Sequence, residues 1–322
     1  MAIHRIVTGL AFVMAFVVGH AQIDPAKTVL TINGEDIKGS EYYRKMEFLP
    51  GVGKPIGSSF AEFTPGFLTL ERLITERLLL QLAREKGVFP SEVELNAEVA
   101  NRSQDDPKLV ADWKASGRTE AELRSQIQLD LVQFKLQTAG ITITDQQVEG
   151  YYNANKDEFT SPVKLKLRVI AVPDIATRDA AEAELKAAKP FSEVASKYSG
   201  DVSKVNGGDY GIMPITMFSP AFKAAIGNLK PGQSTEWVAT GTTYVKFLVE
   251  NSFPPVLEPL SPALRRTIRK KMMIQRGSVK NNLQADMRAA RLKAAIDIKE
   301  PEFAKTYRKY IELYFEEKKG GG

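Results

Sequence analysis

The sequence predicts an α+β protein, and three observations carry that reading. From Thr69 to about Tyr152 apolar residues recur at helical spacing behind recognisable helix-start signals. At Ser161-Pro162 the pattern changes, and strands and helices then mix without a regular strand-helix-strand repeat as far as Pro254-Pro255, the pattern of a compact domain of about 90 residues. From Ser261 the chain reads as helix again.

The chain begins with His4 and Arg5, an unbroken apolar run from Ile6 to Val18, and Gly19-His20-Ala21 with small residues at the −3 and −1 positions, which is the pattern of a secretory signal peptide. Cleavage is expected after Ala21. The apolar run is shorter than the ~20 residues that cross a bilayer, so a soluble exported protein is expected, either periplasmic or outside a single-membrane cell. The cysteine count of zero excludes a lipid anchor on a terminal cysteine.

Removing 21 of 322 residues leaves 301, enough for two domains with cores of their own. Hydrophobic residues at 43% and charged residues at 26% are the proportions of a folded chain. Both histidines, His4 and His20, leave with the leader, and there is no cysteine. Disulfides, thiol redox chemistry, Cys/His zinc sites and histidine-activated nucleophiles are therefore excluded from the mature chain, and no metal or cofactor is expected. The net charge of +5 falls to +4 once Arg5 is lost, too little to call for nucleic acid. Gly51-x-Gly53 lacks the third glycine and the helix start of a nucleotide fingerprint.

Thr28 to Ile32 reads as a strand, Asn33-Gly34 as a tight turn, and Ser40 to about Leu49 as a helix. Pro50 to Gly66 is rich in Pro, Gly and Ser, with Phe60 and Phe63 inside it; no regular element is expected, only a surface loop or a lip touching a bound chain. Thr69 to Lys86 is a helix with Leu70, Leu73, Ile74 and Leu78 on one face and Gly87 at its end. Ser91 with Glu94, Thr119 with Glu122 and Thr144 with Gln147 have capping-box spacing and place three further helix starts. Then Val163 to Val172 alternates as a strand, Thr177 to Ala188 and Phe191 to Tyr198 are helices, and Asn206 to Gly211 turns tightly. Ser219 to Ile226 is a helix and Thr243 to Glu250 a strand. Ser261 caps a helix that runs to about Ala295, and a short one begins at Pro301; Lys318 to Gly322 reads as a disordered end.

The segment from Phe191 to Ser199, the turn Gly207-Gly-Asp-Tyr-Gly211, the helix around Phe222 and the turn Leu229-Lys-Pro-Gly232 together resemble a parvulin-type (PpiC-type) peptidyl-prolyl cis-trans isomerase domain. Val29 to Ser40 resembles the start of a SurA/PrsA-like chaperone domain, and Ile141 to Pro162 the helix that leads into the parvulin unit. The resemblance spans nearly the whole mature chain. It implies a helical SurA-like domain over 22–160, an inserted parvulin α+β domain over 161–254, and helices over 255–322 that return to the N-terminal domain. It also implies an extracytoplasmic, ATP-independent folding chaperone whose partners are unfolded or proline-containing exported proteins.

Rotating an X-Pro bond must break amide resonance, against a barrier of about 18–20 kcal/mol for an ordinary peptide bond. A catalyst needs an apolar pocket for the proline ring and polar groups around the twisted amide, with no nucleophile. The resemblance places the proline pocket on Phe222, with Met217 or Phe218 beside it and Tyr210 at the turn. It places the polar groups on Asp201 and near Thr242, although an Asp after Ser-Gly is more commonly a solvated loop acid. The two family histidine positions fall on Val169 and Val245, where apolar residues replace a hydrogen-bonded pair. Isomerase activity is therefore expected to be weak or lost; an active isomerase using Asp201, Thr242 and the Phe222 pocket is the alternative.

Ten Lys/Arg between Leu264 and Lys293 face a single acid, Asp286, in a helix that also has an apolar stripe. A solvated basic face explains this, and an anionic membrane surface is the alternative partner.

Overall fold

A computed structural model describes residues 23–49, 53–56 and 59–315, with 53–56 and 59–62 as backbone. The expected leader and its cleavage site, and the end at 318–322 that is expected to be disordered, lie outside the described residues. The chain divides into two compact units, residues 1–142 with 271–322 and residues 143–270. The second is thus inserted into the first, as the α+β reading with a returning C-terminal helix requires.

In the first unit β1 (Thr28–Ile32) and β2 (Glu35–Lys38) form an antiparallel hairpin. Asn33 (φ 49°) and Gly34 (φ 84°) occupy the left-handed region that a two-residue hairpin turn demands. The turn closes a strand pair whose second member, β2, is not expected from the local pattern, and α1 (Gly39–Met46) follows where a helix from Ser40 is expected. The Pro/Gly/Ser-rich stretch also differs from expectation. There β3 (Gly53–Ile56) and β4 (Ser59–Glu62) pair as a hairpin, with Pro55 opposite Phe60. In a two-stranded sheet both strands are edges, so a proline's missing N–H need not break the ladder.

Helix α2 (Pro65–Glu85) starts four residues before the expected position, because Thr64 Oγ1 accepts the Phe67 N–H at 3.3 Å and Pro65 fills the first helical position. Next are α3 (Glu92–Asp105), α4 (Leu109–Ala115) and α5 (Glu120–Gln137). The boxes at Ser91/Glu94 and Thr119/Glu122 both form, each acid accepting its cap's backbone N–H at 2.8 and 2.7 Å.

The second unit opens with α6 (Asp145–Ala154), started by the third capping box. It continues through β5 (Thr160–Ser161), β6 (Lys164–Val172), α7 (Ile175–Lys186), α8 (Phe191–Tyr198) and β7 (Asp209–Pro214). Then come α9 (Pro220–Ile226), β8 (Val238–Thr240), β9 (Thr243–Phe253) and β10 (Val256–Leu257). Four strands make an antiparallel sheet in the order β7-β6-β9-β8, and β5 pairs with β10. Both faces of the large sheet are covered, and β6 shows why. Leu165, Leu167 and Val169 point to the α9 side, and Ile170 and Val172 to the side of α7 and α8.

The chain continues through α10 (Pro262–Lys280), α11 (Leu283–Lys293), β11 (Ile296–Ile298) and α12 (Pro301–Tyr314). The expected single helix to Ala295 is broken: Asn282 caps a new helix by accepting the Ala285 N–H at 3.0 Å. Asn281 donates to the carbonyls of Gln137 and Ala139 at 3.0 and 3.1 Å, which holds the break against the end of α5. Beyond it β11, which carries no strand signal of its own, pairs with β1 and completes a three-stranded sheet. The first unit's core joins Leu30, Ile32 and Ile37 from the sheet to Leu70, Ile74 and Leu78 of α2 and Tyr307 and Tyr310 of α12. Expected domain boundaries at 160/161 and 254/255 fall inside the second unit, because α6 is tied to the start of α10 there. Arg265 pairs with Glu149 at 2.8 Å and Arg269 with Asp145.

Candidate functional site

On the α9 side of the sheet, Phe247 of β9 is buried and stands at the centre of an aromatic group. Phe222 lies edge-on to it with ring centroids 5.3 Å apart, Phe218 at 5.7 Å and Tyr210 at 6.0 Å, all three near-perpendicular. Edge-to-face contacts of this kind fix ring planes as well as positions. Tyr210 is 39% exposed, so the group is not sealed into the core. β9, β7, the linker before α9 and α9 itself each supply one ring. Ser219 caps α9 and Pro220 begins it, which sets the helix phase that turns Phe222 and Ile226 toward the sheet.

The tight turn holds Tyr210 through backbone that tolerates no side chain. Gly208 has φ +77°, and a Cβ there would lie 2.5 Å from the Val169 carbonyl oxygen. Gly207, at φ +66°, would place one 2.8 Å from Cβ of Ser192. Arg168 donates to the Gly207 carbonyl at 2.9 Å and is itself held by Glu250. Asp209 accepts the Gly211 N–H at 2.9 Å, and that bond leads in holding its carboxyl below the usual range, with Lys166 and Arg168 adding to it against burial.

Of the expected pocket residues, the structure therefore brings together Tyr210, Phe218 and Phe222. Met217 ends a 3-10 turn and is 70% exposed. Phe247, which joins the rings, is not among the residues the sequence singles out; its signal is the inward alternation Val245, Phe247, Val249.

The expected polar residues stand differently. Asp201 caps the adjoining 3-10 turn, accepting the Ser203 N–H at 2.8 Å and the Ser203 hydroxyl at 2.5 Å. The preceding loop is fastened to β6, with the Gly200 N–H donating to the Ala171 carbonyl at 2.7 Å. Thr242 is exposed at the tip of the β8–β9 hairpin, beside Gly241 at φ +61°. Val169 and Val245 are both buried on the cradle's side of the sheet. A direct contact between them is the simple expectation for a replaced pair, but the register sets Val169 opposite Phe247 and Val245 opposite Ala171, so the two valines are diagonal neighbours.

The other face of β9 carries the charge. Lys246 is buried and donates to Glu182 at 3.0 Å, and Trp237 donates to the same oxygen at 2.9 Å. Burial raises the Glu182 carboxyl's pKa, but these bonds outweigh it and hold the group below its ordinary value. Alternation thus leaves the cradle's floor apolar and places the ion pair behind it. In the basic C-terminal run, Arg265, Arg269 and Arg291 are each paired with a carboxylate, so part of that charge is internal.

Residues 143–264 match the family model of the PPIC-type PPIASE domain. The foldase protein PrsA of Caldanaerobacter subterraneus subsp. tengcongensis is 27% identical over 230 residues, 67% of this chain and 71% of that protein. PrsA of Clostridium kluyveri is 27% identical over 261 residues, covering 70% and 76%. A solved SurA-like chaperone of Campylobacter jejuni aligns with 79% of this chain and 93% of its own, at 22% identity and a TM-score of 0.39. The chain resembles the SurA/PrsA-like chaperones that carry a parvulin-type domain, and the matched stretch coincides closely with its second unit.

Proposed function

We propose that the protein is an exported, ATP-independent folding chaperone whose parvulin-like domain binds proline-containing segments with weak or no isomerase activity. The observation that carries the reading is the cradle itself. Tyr210, Phe218, Phe222 and Phe247 offer aromatic surface of the kind that grips a proline ring, on a floor where Val169 and Val245 supply no hydrogen bond. Twisting an amide is accelerated only by groups that bind the twisted form better than the planar one. The Asp201 carboxylate is engaged in its own turn and Thr242 stands on an exposed hairpin tip, which favours binding over catalysis. In this reading the first unit shields unfolded clients, 161–254 within the second unit is the proline-recognising part, and the leader ending at Ala21 directs export. Among the described residues no helix is long and apolar enough to cross a membrane.

Exchange NMR on a proline peptide tests it: the wild-type chain should leave the cis-trans exchange rate at its uncatalysed value while shifting resonances of the proline ring. Clear acceleration that Asp201→Ala or Thr242→Ala removes would establish the second reading, an active isomerase, which the intact aromatic group favours. For the chaperone role, the chain in excess should lower the light scattering of an aggregating unfolded client; unchanged scattering would refute it. An anionic membrane as partner predicts salt-sensitive sedimentation with acidic vesicles through the cations of α10 and α11.

A further inference from the structure

The helical unit has a cleft of about 710 Å³ between α1, α2, α4 and α5, with a lining of six cations, three carboxylates and apolar side chains that include Leu73, Leu80 and Leu129. Most of the charge is internally compensated. Arg44 pairs with Glu122, Lys45 and Arg72 with Glu76, and Arg77 with Glu41, while Arg84 reaches Glu35. Arg118 is the exception: among the described residues no carboxylate lies within ion-pair distance of it.

Its guanidinium is nevertheless held. The central carbon lies 4.5 Å from the ring centroid of Phe48 and 4.5 Å from that of Trp113. Trp113 is fixed by its own hydrogen bond to the Thr119 carbonyl at 2.9 Å. Gly117, at φ +82°, makes the turn that delivers Arg118, and its carbonyl accepts from Arg44 at 2.8 Å. Aromatic rings cover a guanidinium's faces, whereas its N–H donors lie in its plane and remain available in the fork that matches a carboxylate. The ordering entropy of a long side chain is thus largely met before any ligand arrives.

We propose that Arg118 is the anchor of a peptide-binding site that selects a carboxylate side chain flanked by apolar residues, the apolar neighbours resting along the partly exposed Leu80 and Leu129. The inference rests on the chaperone reading for its occupant, an unfolded polypeptide segment, and adds a preference that an apolar shield alone would lack. The excess of cations over carboxylates in the lining gives the complementarity.

The test uses the full mature chain with Trp237→Phe, so that the remaining tryptophan, Trp113, reports on the cleft. Two short blocked peptides are compared, one with a glutamate between leucine and phenylalanine residues and one with glutamine in its place. The glutamate peptide should shift Trp113 emission and bind about tenfold more tightly, the scale of one charge-assisted fork. Arg118→Gln should remove that advantage, so that the variant binds the glutamate and glutamine peptides alike. Equal binding of the two peptides to the unsubstituted cleft overturns the proposal without recourse to any Arg118 variant, and so does a glutamate advantage that survives Arg118→Gln. The aggregation assay separates the two readings. Normal shielding with no glutamate preference sinks the carboxylate site alone, and a glutamate preference without shielding sinks the chaperone reading while the site stands.

Discussion

Phe222 meets Phe247 edge-on, ring centroids 5.3 Å apart and planes at 84°, so that a residue of a short helix is locked onto the central part of a sheet. The sheet residue is buried and the helix residue is partly open, which assigns them different tasks. Truncating Phe247 to alanine should cost the second unit about 3–5 kcal/mol, the usual loss for a large aromatic core deletion. Phe222→Ala should cost less stability and weaken proline-peptide binding more. Urea midpoints of both variants, read beside peptide titrations, check the ordering; equal losses of stability would contradict it.

Gly208→Ala should destabilise the second unit by about 2 kcal/mol or more, since it combines a left-handed φ with a Cβ pressed on the Val169 carbonyl. Gly211, also left-handed at φ +81° but with open space around it, should lose less on the same change. A pair of thermal melts distinguishes crowding from backbone strain, because strain alone would make the two variants alike.

Restoring histidines tests the apolar floor. Val169→His alone should lose about 1–3 kcal/mol, because an imidazole opposite Phe247 is buried without a partner. If the diagonal placement lets two imidazoles reach each other, Val169→His with Val245→His should be less destabilised than the sum of the single changes. Additive losses would show that the two positions do not couple, and with that the mapping of the family pair onto them would fail. A gain of exchange activity in the double variant would support the mapping independently of stability.

The Arg44–Glu122 fork predicts a pH effect in the helical unit. Hydrogen bonds from Arg44 lead in holding Glu122 down to about 2 against an ordinary 4.5, and the Thr119 N–H of its capping box adds to them. A carboxyl with a depressed folded pKa contributes stability that is present above its unfolded value and drains as pH falls toward the folded one. The gap in urea midpoint between wild type and Glu122→Gln should therefore be constant above the ordinary carboxylate range and shrink steadily below it. A gap unchanged down to about 2 would remove Glu122 from the acid response.

Much of this was legible in the sequence wherever the signal was local. All three capping boxes formed at the residues that announce them, because a cap is decided by side chains three positions apart. Periodicity places a strand over Val163 to Val172, found at Lys164–Val172, and the helix from Phe191 to Tyr198. Tyr210, Phe218 and Phe222 were identified by resemblance and do meet. Elements whose stability lies in a distant partner were missed. β11 exists because β1 offers it an edge, and the break at Asn281 is held by carbonyls at the end of α5, more than 130 residues earlier in the chain.

Residue identity alone shows the apolar stretch from Ile6 to Val18, the lack of histidine and cysteine after His20, and valine at 169 and 245, the positions onto which the resemblance maps the family's histidines. Folding settled what those valines touch. Register between strands far apart in sequence set Val169 directly opposite Phe247 and diagonal to Val245, and only a folded chain sets that register. The same holds for Arg118, which reads as one more surface cation until Phe48 and Trp113 close on it and the cleft's carboxylates, Glu41, Glu76 and Glu122, pair with other cations. Residue identity limits the chemistry a chain can attempt, and packing across long sequence separations decides which groups are close enough to act together.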